Sequence, residues 1–215
     1  MSFSPCAPDE LAASGISDLA PPGPDDLAFL DRDRGLGGVV KLDGFDSGVF
    51  GASMGILTGT FRDAEATEAV AAAALEYARP AFAHLRAQVD AADLAVSRGL
   101  TRAGFALVQV GVDFVMDVKT EGLDPKARPT AASGIAVALA NEAQAEVVAE
   151  RFATIFRGSR FYVDPFCDDA KADELHRRWI RNCAAGRADA FLVALDGDAV
   201  AGFVTCRLTG AYEGR

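Results

Sequence analysis

Residues 191–206 read FLVALDGDAVAGFVTC, and this stretch decides the fold of the second half of the chain. Two apolar runs, 191–195 and 200–206, are separated by Asp196-Gly197-Asp198. Asp-Gly between apolar runs is a strong hairpin signal, because the turn needs positive φ angles that these residues tolerate. The stretch therefore predicts two antiparallel strands joined by a tight turn.

Upstream of this hairpin the sequence predicts two helices and one more strand. Residues 135–139 are a short apolar strand, and Asn141 then opens a helix, since Gln144 three residues later has the spacing of a capping box. A loop at 157–165 precedes a second helix at 170–183. The apolar stripe of that second helix consists of Leu175, Trp179 and Cys183. The predicted order is strand, helix, helix, strand, strand.

The first half of the chain begins its regular pattern after about residue 36. Residues 39–42 and 52–57 are strand candidates on either side of a turn-rich stretch, 43–48. Asp63 is a good N-cap for the helix that follows, and Pro80 ends that helix. This order predicts two strands and then a helix.

Two further strands and one helix complete the first half. Residues 82–89 form a strand, and a helix then begins at Asp90 or Asp93. Gly104 ends this helix, because glycine takes the left-handed conformation that a helix C-terminus requires. Residues 106–116 alternate apolar and polar side chains, which predicts a half-buried strand.

These patterns predict an α/β protein with mixed sheets and flanking helices, divided into four segments. Residues 1–36 are rich in proline and small residues and are expected to form a flexible arm. Residues 37–118 form a small α/β domain, and the polar stretch 119–132, with two prolines, forms a linker. Residues 133–215 form the second domain.

Composition excludes several classes of function. The 215 residues carry 31 acidic and 21 basic side chains, and a net charge of −10 disfavours nucleic-acid and anionic membrane surfaces as partners. The four cysteines lack the spacing of zinc ligands, so no metal site is expected. The longest apolar run, 69–75, is too short to cross a bilayer, and the amino terminus lacks the pattern of a secretion signal, which predicts a cytoplasmic protein.

Three stretches of the sequence carry a resemblance to a known family. FRGSRFYVDP at 156–165 and LHRRW at 175–179 resemble the acceptor-side helices of the GNAT family of N-acetyltransferases, in particular the bacterial dTDP-fucosamine acetyltransferase group. FDSGVFG at 45–51 is similar to a stretch in the amino-terminal domain of that group. The resemblance covers about residues 38–210 and implies that the second domain is a partial GNAT domain.

The resemblance implies transfer of an acetyl group from acetyl-CoA to an amine, most simply that of a nucleotide-linked amino sugar. The family grips the pyrophosphate of the cofactor with a glycine-rich turn and protonates the thiolate with a tyrosine. Both features are expected beyond Arg215, so the resemblance implies the front part of a longer enzyme and assigns no catalytic residue. The backbone of the last strand, at Phe203 and Val204, would face the pantetheine arm.

Four residues are candidates for binding the acceptor, namely Arg160, Tyr162, Asp164 and His176. Guanidinium groups suit a diphosphate, and aromatic rings can stack on a base or a sugar. Each candidate keeps a structural alternative, since Asp164 can cap the turn before Pro165 and His176 can pack in a helix interface. The full set of nearby arginines is Arg157, Arg160, Arg177, Arg178 and Arg181.

Two alternatives remain beside this interpretation. The chain can instead be a non-catalytic domain of the same fold that binds a ligand or partner through an unpaired strand edge. The expected partners are a small-molecule amine acceptor and, as a separate alternative, a second copy of the chain in a homodimer. The glycines in RGLGG at 34–38 and Gly59 are each interpreted as ordinary turns, because 34–38 leads into a strand and Gly59 is a single glycine.

Overall fold

The computed structural model describes residues 3–16, 22–23, 25–112 and 134–207. The chain divides into two compact units, Met1–Val110 and Gly111–Arg215. Each unit has its own sheet and its own cluster of buried apolar side chains. The predicted α/β class with flanking helices is confirmed, and the predicted linker at 119–132 lies outside the described residues.

The first unit contains a mixed five-stranded sheet in the order β1-β2-β3-β4-β5. Neighbouring strands are antiparallel except for β4 and β5, which are parallel because α3 connects them. The strands are β1 (Ser4–Cys6), β2 (Leu27–Asp31), β3 (Leu36–Leu42), β4 (Met54–Gly59) and β5 (His84–Ala87).

Four helices accompany this sheet, and three of them start at an aspartate. The helices are α1 (Pro8–Ala13), α2 (Gly44–Phe50), α3 (Ala64–Ala78) and α4 (Leu94–Arg102). Asp43, Asp63 and Asp93 each accept a hydrogen bond from the backbone N–H three residues later, which satisfies a donor that the helix itself leaves open. Helix α3 buries Val70 beneath Phe29 and Val40 of the sheet.

The structure corrects the prediction of a flexible arm over 1–36. Within that segment β1, α1 and β2 are regular elements, and β2 pairs with β3 along five residues. Phe29 is fully buried and Leu30 is 2% exposed, so the segment contributes core side chains. The prolines are compatible with this order, because Pro5 lies on the edge strand β1 and Pro8 is the first residue of α1.

The turn-rich stretch 43–48 is also corrected, because it is helical. Asp43 caps the start of α2, and Gly51 ends the helix with φ +65°. Ser47 Oγ accepts a hydrogen bond of 2.9 Å from the backbone N–H of Met54, which attaches α2 to β4. Asp and Gly are typical both of turns and of helix ends, so the sequence alone does not distinguish a turn from a short helix here. In the structure the helix buries Phe50, which favours the helical conformation.

The end of α4 follows the predicted mechanism, but the described part of the strand expected after it, 106–112, is not a strand. Gly104 has φ +97°, and the Phe105 N–H donates to the Leu100 carbonyl at 3.0 Å. The described residues 105–112 form no strand, and Leu107 is 80% exposed. Alternating apolar and polar side chains show that a segment is suited to form a strand, but a strand also needs a second strand to pair with. The rest of the predicted strand, 113–116, lies outside the described residues.

The second unit contains a three-stranded antiparallel sheet in the order β6-β7-β8. The predicted strand at 135–139, the Asn141 capping box and the hairpin at Gly197, with φ +58°, are all confirmed. The elements are β6 (Ile135–Leu139), α5 (Glu142–Phe152), a 3-10 turn (Ala153–Ile155), α6 (Arg160–Val163), α7 (Asp169–Asn182), a π turn (Cys183–Arg187), β7 (Ala190–Asp196) and β8 (Ala199–Cys206).

Helices α5 and α7 cover one face of this sheet. Val148 of α5 and Ile180 of α7 are fully buried against Val193 of β7. Strand alternation places Phe191 and Phe203 on the same, helix-covered face. The candidate residues around α6 therefore belong to a loop that is attached to the α7 side of this layer.

Gly99 allows α4 to lie against α3, and replacing it tests this packing. A Cβ on Gly99 would lie 2.6 Å from the Ala64 carbonyl oxygen and 2.6 Å from Thr67 Cβ. We expect Gly99→Ala to lower the free energy of unfolding by about 1–3 kcal/mol, because overpacking outweighs the gain in helix propensity. Urea unfolding followed by circular dichroism measures the change.

The matched control is Gly48→Ala in α2, an exposed helical glycine whose added Cβ would meet no atom within 4 Å. This variant should be stabilised by about 0.5–1 kcal/mol. If Gly99→Ala proved as stable as Gly48→Ala, the close approach of α3 and α4 would be disproved.

Candidate functional site

The centre of the candidate site is His176, a buried residue of α7 that stacks on two aromatic rings. The Phe156 ring lies parallel to the imidazole with centroids 4.7 Å apart, and the Tyr162 ring is parallel at 5.6 Å. The Nδ1 atom is 2.7 Å from the Ala172 carbonyl oxygen. Because a carbonyl only accepts, Nδ1 carries the proton, and Nε2 holds the lone pair of the neutral ring.

Burial lowers the pKa of His176, and the Ala172 carbonyl and the Asp173 carboxylate oppose this shift without reversing it. The imidazole is therefore neutral at physiological pH. In this state the ring is an aromatic spacer between α7 and the α6 loop. The packed alternative for His176 agrees with this geometry.

Tyr162 attaches the α6 loop to α7 through its hydroxyl group. The hydroxyl donates a 2.6 Å hydrogen bond to Asp173 Oδ1, and the Arg157 guanidinium lies 4.5 Å from the ring centroid. Burial, followed by the hydrogen bond and negative charge of Asp173, raises the pKa of Tyr162 to about 12. Tyr162 is therefore a neutral hydrogen-bond donor that is held in one orientation.

Arg160 and Asp164 lie at the two ends of α6. The Arg160 guanidinium is 3.9 Å from the centroid of the Phe161 ring. Asp164 Oδ1 accepts a 3.0 Å hydrogen bond from the Phe166 N–H, so Asp164 does cap the turn around Pro165. The loop brings Arg160, Tyr162 and His176 into one region, whereas Asp164 has a structural task there.

The basic concentration expected to meet a diphosphate is largely neutralised by carboxylates. Arg181 contacts Glu146 at 2.6 Å and Glu150 at 2.7 Å, which joins α7 to α5. The hydrogen bond with Glu146 raises the pKa of Arg181. The other pairs are Arg157 with Asp169 and Asp173, Arg177 with Glu150 and Glu174, and Arg178 with Glu174.

Trp179 was expected in the core but is 39% exposed. Leu175 and Cys183 of the same stripe are buried, so the stripe itself is correct. The indole meets Phe156 edge to face, with centroids 6.3 Å apart. A ring as large as indole can extend beyond the buried stripe of its helix, and the Trp179 ring reaches the surface beside the stack of His176, Phe156 and Tyr162. Trp179 is the single tryptophan of the chain and reports on this region.

Phe203 and Val204, the predicted cofactor contacts, point to opposite faces of β8. Phe203 packs edge to face on Phe152 and Phe156 within the core. Val204 is 51% exposed on the face away from the helices. Because their side chains point to opposite faces, a ligand along β8 would contact both residues only through their backbone atoms. This backbone contact is the one predicted from the sequence.

The stretch 45–51 of the first unit has a structural task in α2, as described above. Nearby, burial tends to raise the pKa of Asp43, but hydrogen bonds from the Asp46 N–H and from Arg86 lower it overall. Of the stretch 34–38, only Arg34 and Gly35 lie in the hairpin turn between β2 and β3, where Gly35 has φ +62°, and residues 36–38 belong to strand β3. Gly59 ends β4 rather than opening a phosphate-binding loop.

Sequence reasoning missed two members of the site, namely Phe156 and Asp173, and it named Arg157 only as one of the nearby arginines. Asp173 lies three residues before His176 on α7, a spacing that places both on one helix face. That spacing was a usable signal for Asp173. No comparable pattern links Phe156 to His176, because their contact depends on how the loop folds back on α7.

Searches of family models, curated proteins and solved structures found no match to this chain. In the described ranges no group of three or more His, Cys, Asp or Glu side chains is arranged to hold a metal ion. None of the helices described above combines the length and apolar character needed to cross a membrane.

The lowered pKa of His176 predicts that the second unit loses stability in acid. The unfolded chain binds a proton near pH 6.5 more readily than the folded chain does, so stability is complete above that pH and falls below it. We expect a lower urea midpoint at about pH 5.5 than at about pH 7, measured by Trp179 fluorescence.

His176→Phe is the control for this experiment, because it keeps an aromatic ring between Phe156 and Tyr162 but cannot titrate. The variant should show a smaller loss of stability between the two pH values than the native chain. An equal loss in both proteins would mean that other groups cause the acid sensitivity.

Proposed function

We propose that the protein is an N-acetyltransferase of the GNAT type that transfers acetyl from acetyl-CoA to the amine of a small acceptor. The observation that carries the proposal is the order and pairing of the second unit. Strand β6, helices α5 and α7, and the β7–β8 hairpin form an antiparallel sheet β6-β7-β8 with both helices on one face. This is the arrangement that the resemblance implies for the acceptor-holding half of the domain.

In this proposal acceptor recognition lies with the α6 loop and α7. Tyr162 is a neutral donor oriented by Asp173, and Arg160 supplies a positive charge beside it. Trp179 and Phe156 offer ring faces and edges on which a base or sugar can pack. These features favour a nucleotide-linked amino sugar, with His176 as the packed ring that holds the loop in place.

The chemistry requires a neutral amine, because a protonated amine has no lone pair with which to attack the thioester. The amine nitrogen bonds to the acetyl carbon, the carbon–sulfur bond breaks, and the CoA thiolate takes up a proton. Acetyl-CoA would lie along the backbone of β8, where Phe203 and Val204 are located. The proposal assigns no general acid or base among the residues of this chain.

A second candidate function is a non-catalytic domain of the same fold that binds a ligand or partner. The pairing of Arg157, Arg177, Arg178 and Arg181 with carboxylates favours it, since these side chains have less charge to offer a diphosphate. Neither function includes a nucleic-acid partner, which agrees with the net charge of −10.

Thiol release and calorimetry distinguish the two functions. Because no stretch of this sequence supplies the glycine-rich turn that grips the pyrophosphate in the family, acetyl-CoA should bind only weakly, along the backbone of β8, and release of free CoA in the presence of a dTDP-linked amino sugar would support the enzyme. Arg160→Ala should weaken the binding of thymidine diphosphate about tenfold, because a charge-assisted hydrogen bond is lost, and should leave acetyl-CoA binding unchanged. Trp179 fluorescence measures the nucleotide affinity.

Arg178→Ala is the matched control, since Arg178 is a half-exposed arginine of α7 that pairs with Glu174. This variant should bind thymidine diphosphate like the native chain. Nucleotide binding without any acetyl-CoA binding or thiol release would support the non-catalytic domain. Failure to bind either ligand would contradict the acetyltransferase and would leave the second function only as a domain that binds a protein partner.

A further inference from the structure

Arg157 lies against the aromatic stack of the candidate site, although it is paired with carboxylates. Its guanidinium is 4.5 Å from the centroid of the Tyr162 ring, and that ring is stacked on His176. A guanidinium over an aromatic face is attracted by the ring and keeps its plane available to a planar acceptor group. The other arginines that pair with carboxylates in this region lie on α7 and contact glutamates, namely Arg177, Arg178 and Arg181.

Two carboxylates of α7 contact Arg157, and they differ in how firmly they are fixed. Asp173 is 19% exposed and also accepts the 2.6 Å hydrogen bond from the Tyr162 hydroxyl. Asp169 is 68% exposed, and its Oδ2 is 3.3 Å from Arg157 Nη1, longer than the about 2.7–2.9 Å of a strong charge-assisted hydrogen bond. An exposed pair of this kind is weak, so the contact with Asp169 opens easily.

Opening the contact with Asp169 leaves the guanidinium beside the stack, because the Tyr162 ring and Asp173 still hold it. The N–H donors on Nη1 then become available to an anion. A diphosphate carries more negative charge than a carboxylate and can accept a bidentate pair of hydrogen bonds from a guanidinium. A diphosphate at this position therefore displaces Asp169 and leaves Asp173 in place.

We propose that Arg157 binds the diphosphate of the acceptor and that Asp169 competes with this diphosphate for the guanidinium. The inference rests on the proposed function, because it takes a nucleotide-linked sugar as the acceptor. Asp169 then sets the affinity of the site, since the apparent affinity is reduced by the fraction of molecules in which Arg157 is free to bind. Asp173 is a positioning residue that keeps Tyr162 oriented toward the same ligand.

Asp169→Asn tests the competition directly. We expect this variant to bind thymidine diphosphate about two- to fivefold more tightly than the native chain, which is the fold-change that corresponds to loss of a weak exposed ion pair. Calorimetric titration of the full chain measures the affinity. Circular dichroism should show an intact helix content, because Asp168 and not Asp169 caps α7.

A second variant shows whether Asp169 acts through Arg157. Arg157→Ala should weaken the binding of thymidine diphosphate about tenfold, because a charge-assisted hydrogen bond is lost. In the Arg157→Ala background the Asp169→Asn substitution should give no further change in affinity, since the competed group is then missing. Simple repulsion between Asp169 and the diphosphate would instead persist in that background.

Glu174→Gln is the matched control, because it removes one negative charge from the same helix and frees Arg178 instead of Arg157. This variant should bind thymidine diphosphate like the native chain. Two other ligands show which diphosphate is concerned. Thymidine, which has no phosphate, and acetyl-CoA, whose pyrophosphate belongs to the cofactor, should each bind the native chain and Asp169→Asn equally.

Several results would overturn the inference. An equal gain in Glu174→Gln, or a gain from Asp169→Asn that persists without Arg157, would show a general effect of charge. A gain for acetyl-CoA would assign Arg157 to the cofactor. Equal binding of thymidine diphosphate by the native chain and Asp169→Asn would overturn this inference alone and leave the proposed function standing. Absence of nucleotide binding in both proteins would overturn the inference together with the nucleotide-linked acceptor on which it rests.

Discussion

The second unit depends on the burial of α5 and α7 against one face of a three-stranded sheet. Val148, Ile180 and Val193 meet in a core without exposed surface, and this contact fixes α5 and α7 on the sheet. Because α7 is fixed on the sheet, its outer side can hold the α6 loop through His176. Because both helices share one face, the described residues leave Val137, Leu139 and Val204 exposed on the opposite face. The position of the candidate acceptor site and the exposure of the opposite sheet face therefore both result from the packing of α5 and α7 on one face of the sheet.

Electrostatics has a different role in this unit from the one its composition suggests. The arginines of α7 and the loop before α6 contact glutamates and aspartates of α5 and α7. Exposed pairs of this kind contribute little to stability individually, but they fix the direction of long side chains. Recognition of an acceptor would accordingly depend on aromatic surface and on a few oriented hydrogen-bond donors, such as Tyr162, more than on net positive charge.

Local signals in the sequence gave correct predictions for structures that depend on interactions between residues close together in the chain. The capping box at Asn141, the left-handed Gly104 and the hairpin at Gly197 are interactions between neighbours, so spacing alone specifies them. The expected arm was wrong because β2 owes its order to burial of Phe29 among residues far along the chain, and the turn expected at 43–48 was wrong because it is a helix that buries Phe50. Over 106–112, the described part of the strand expected there, no strand forms for a related reason, since a strand requires a neighbour.

The candidate site shows the same division between local and distant causes. Its residue types and their position on a loop beside a helix were evident from the sequence, as were the α/β class and the element order of the second unit. Only the tertiary structure decided that His176 stacks on Phe156 and Tyr162, that Trp179 reaches the surface, and that the arginines meet carboxylates. Short-range backbone geometry is encoded by spacing, whereas contacts between side chains far apart in the chain exist only once helices and sheet have packed.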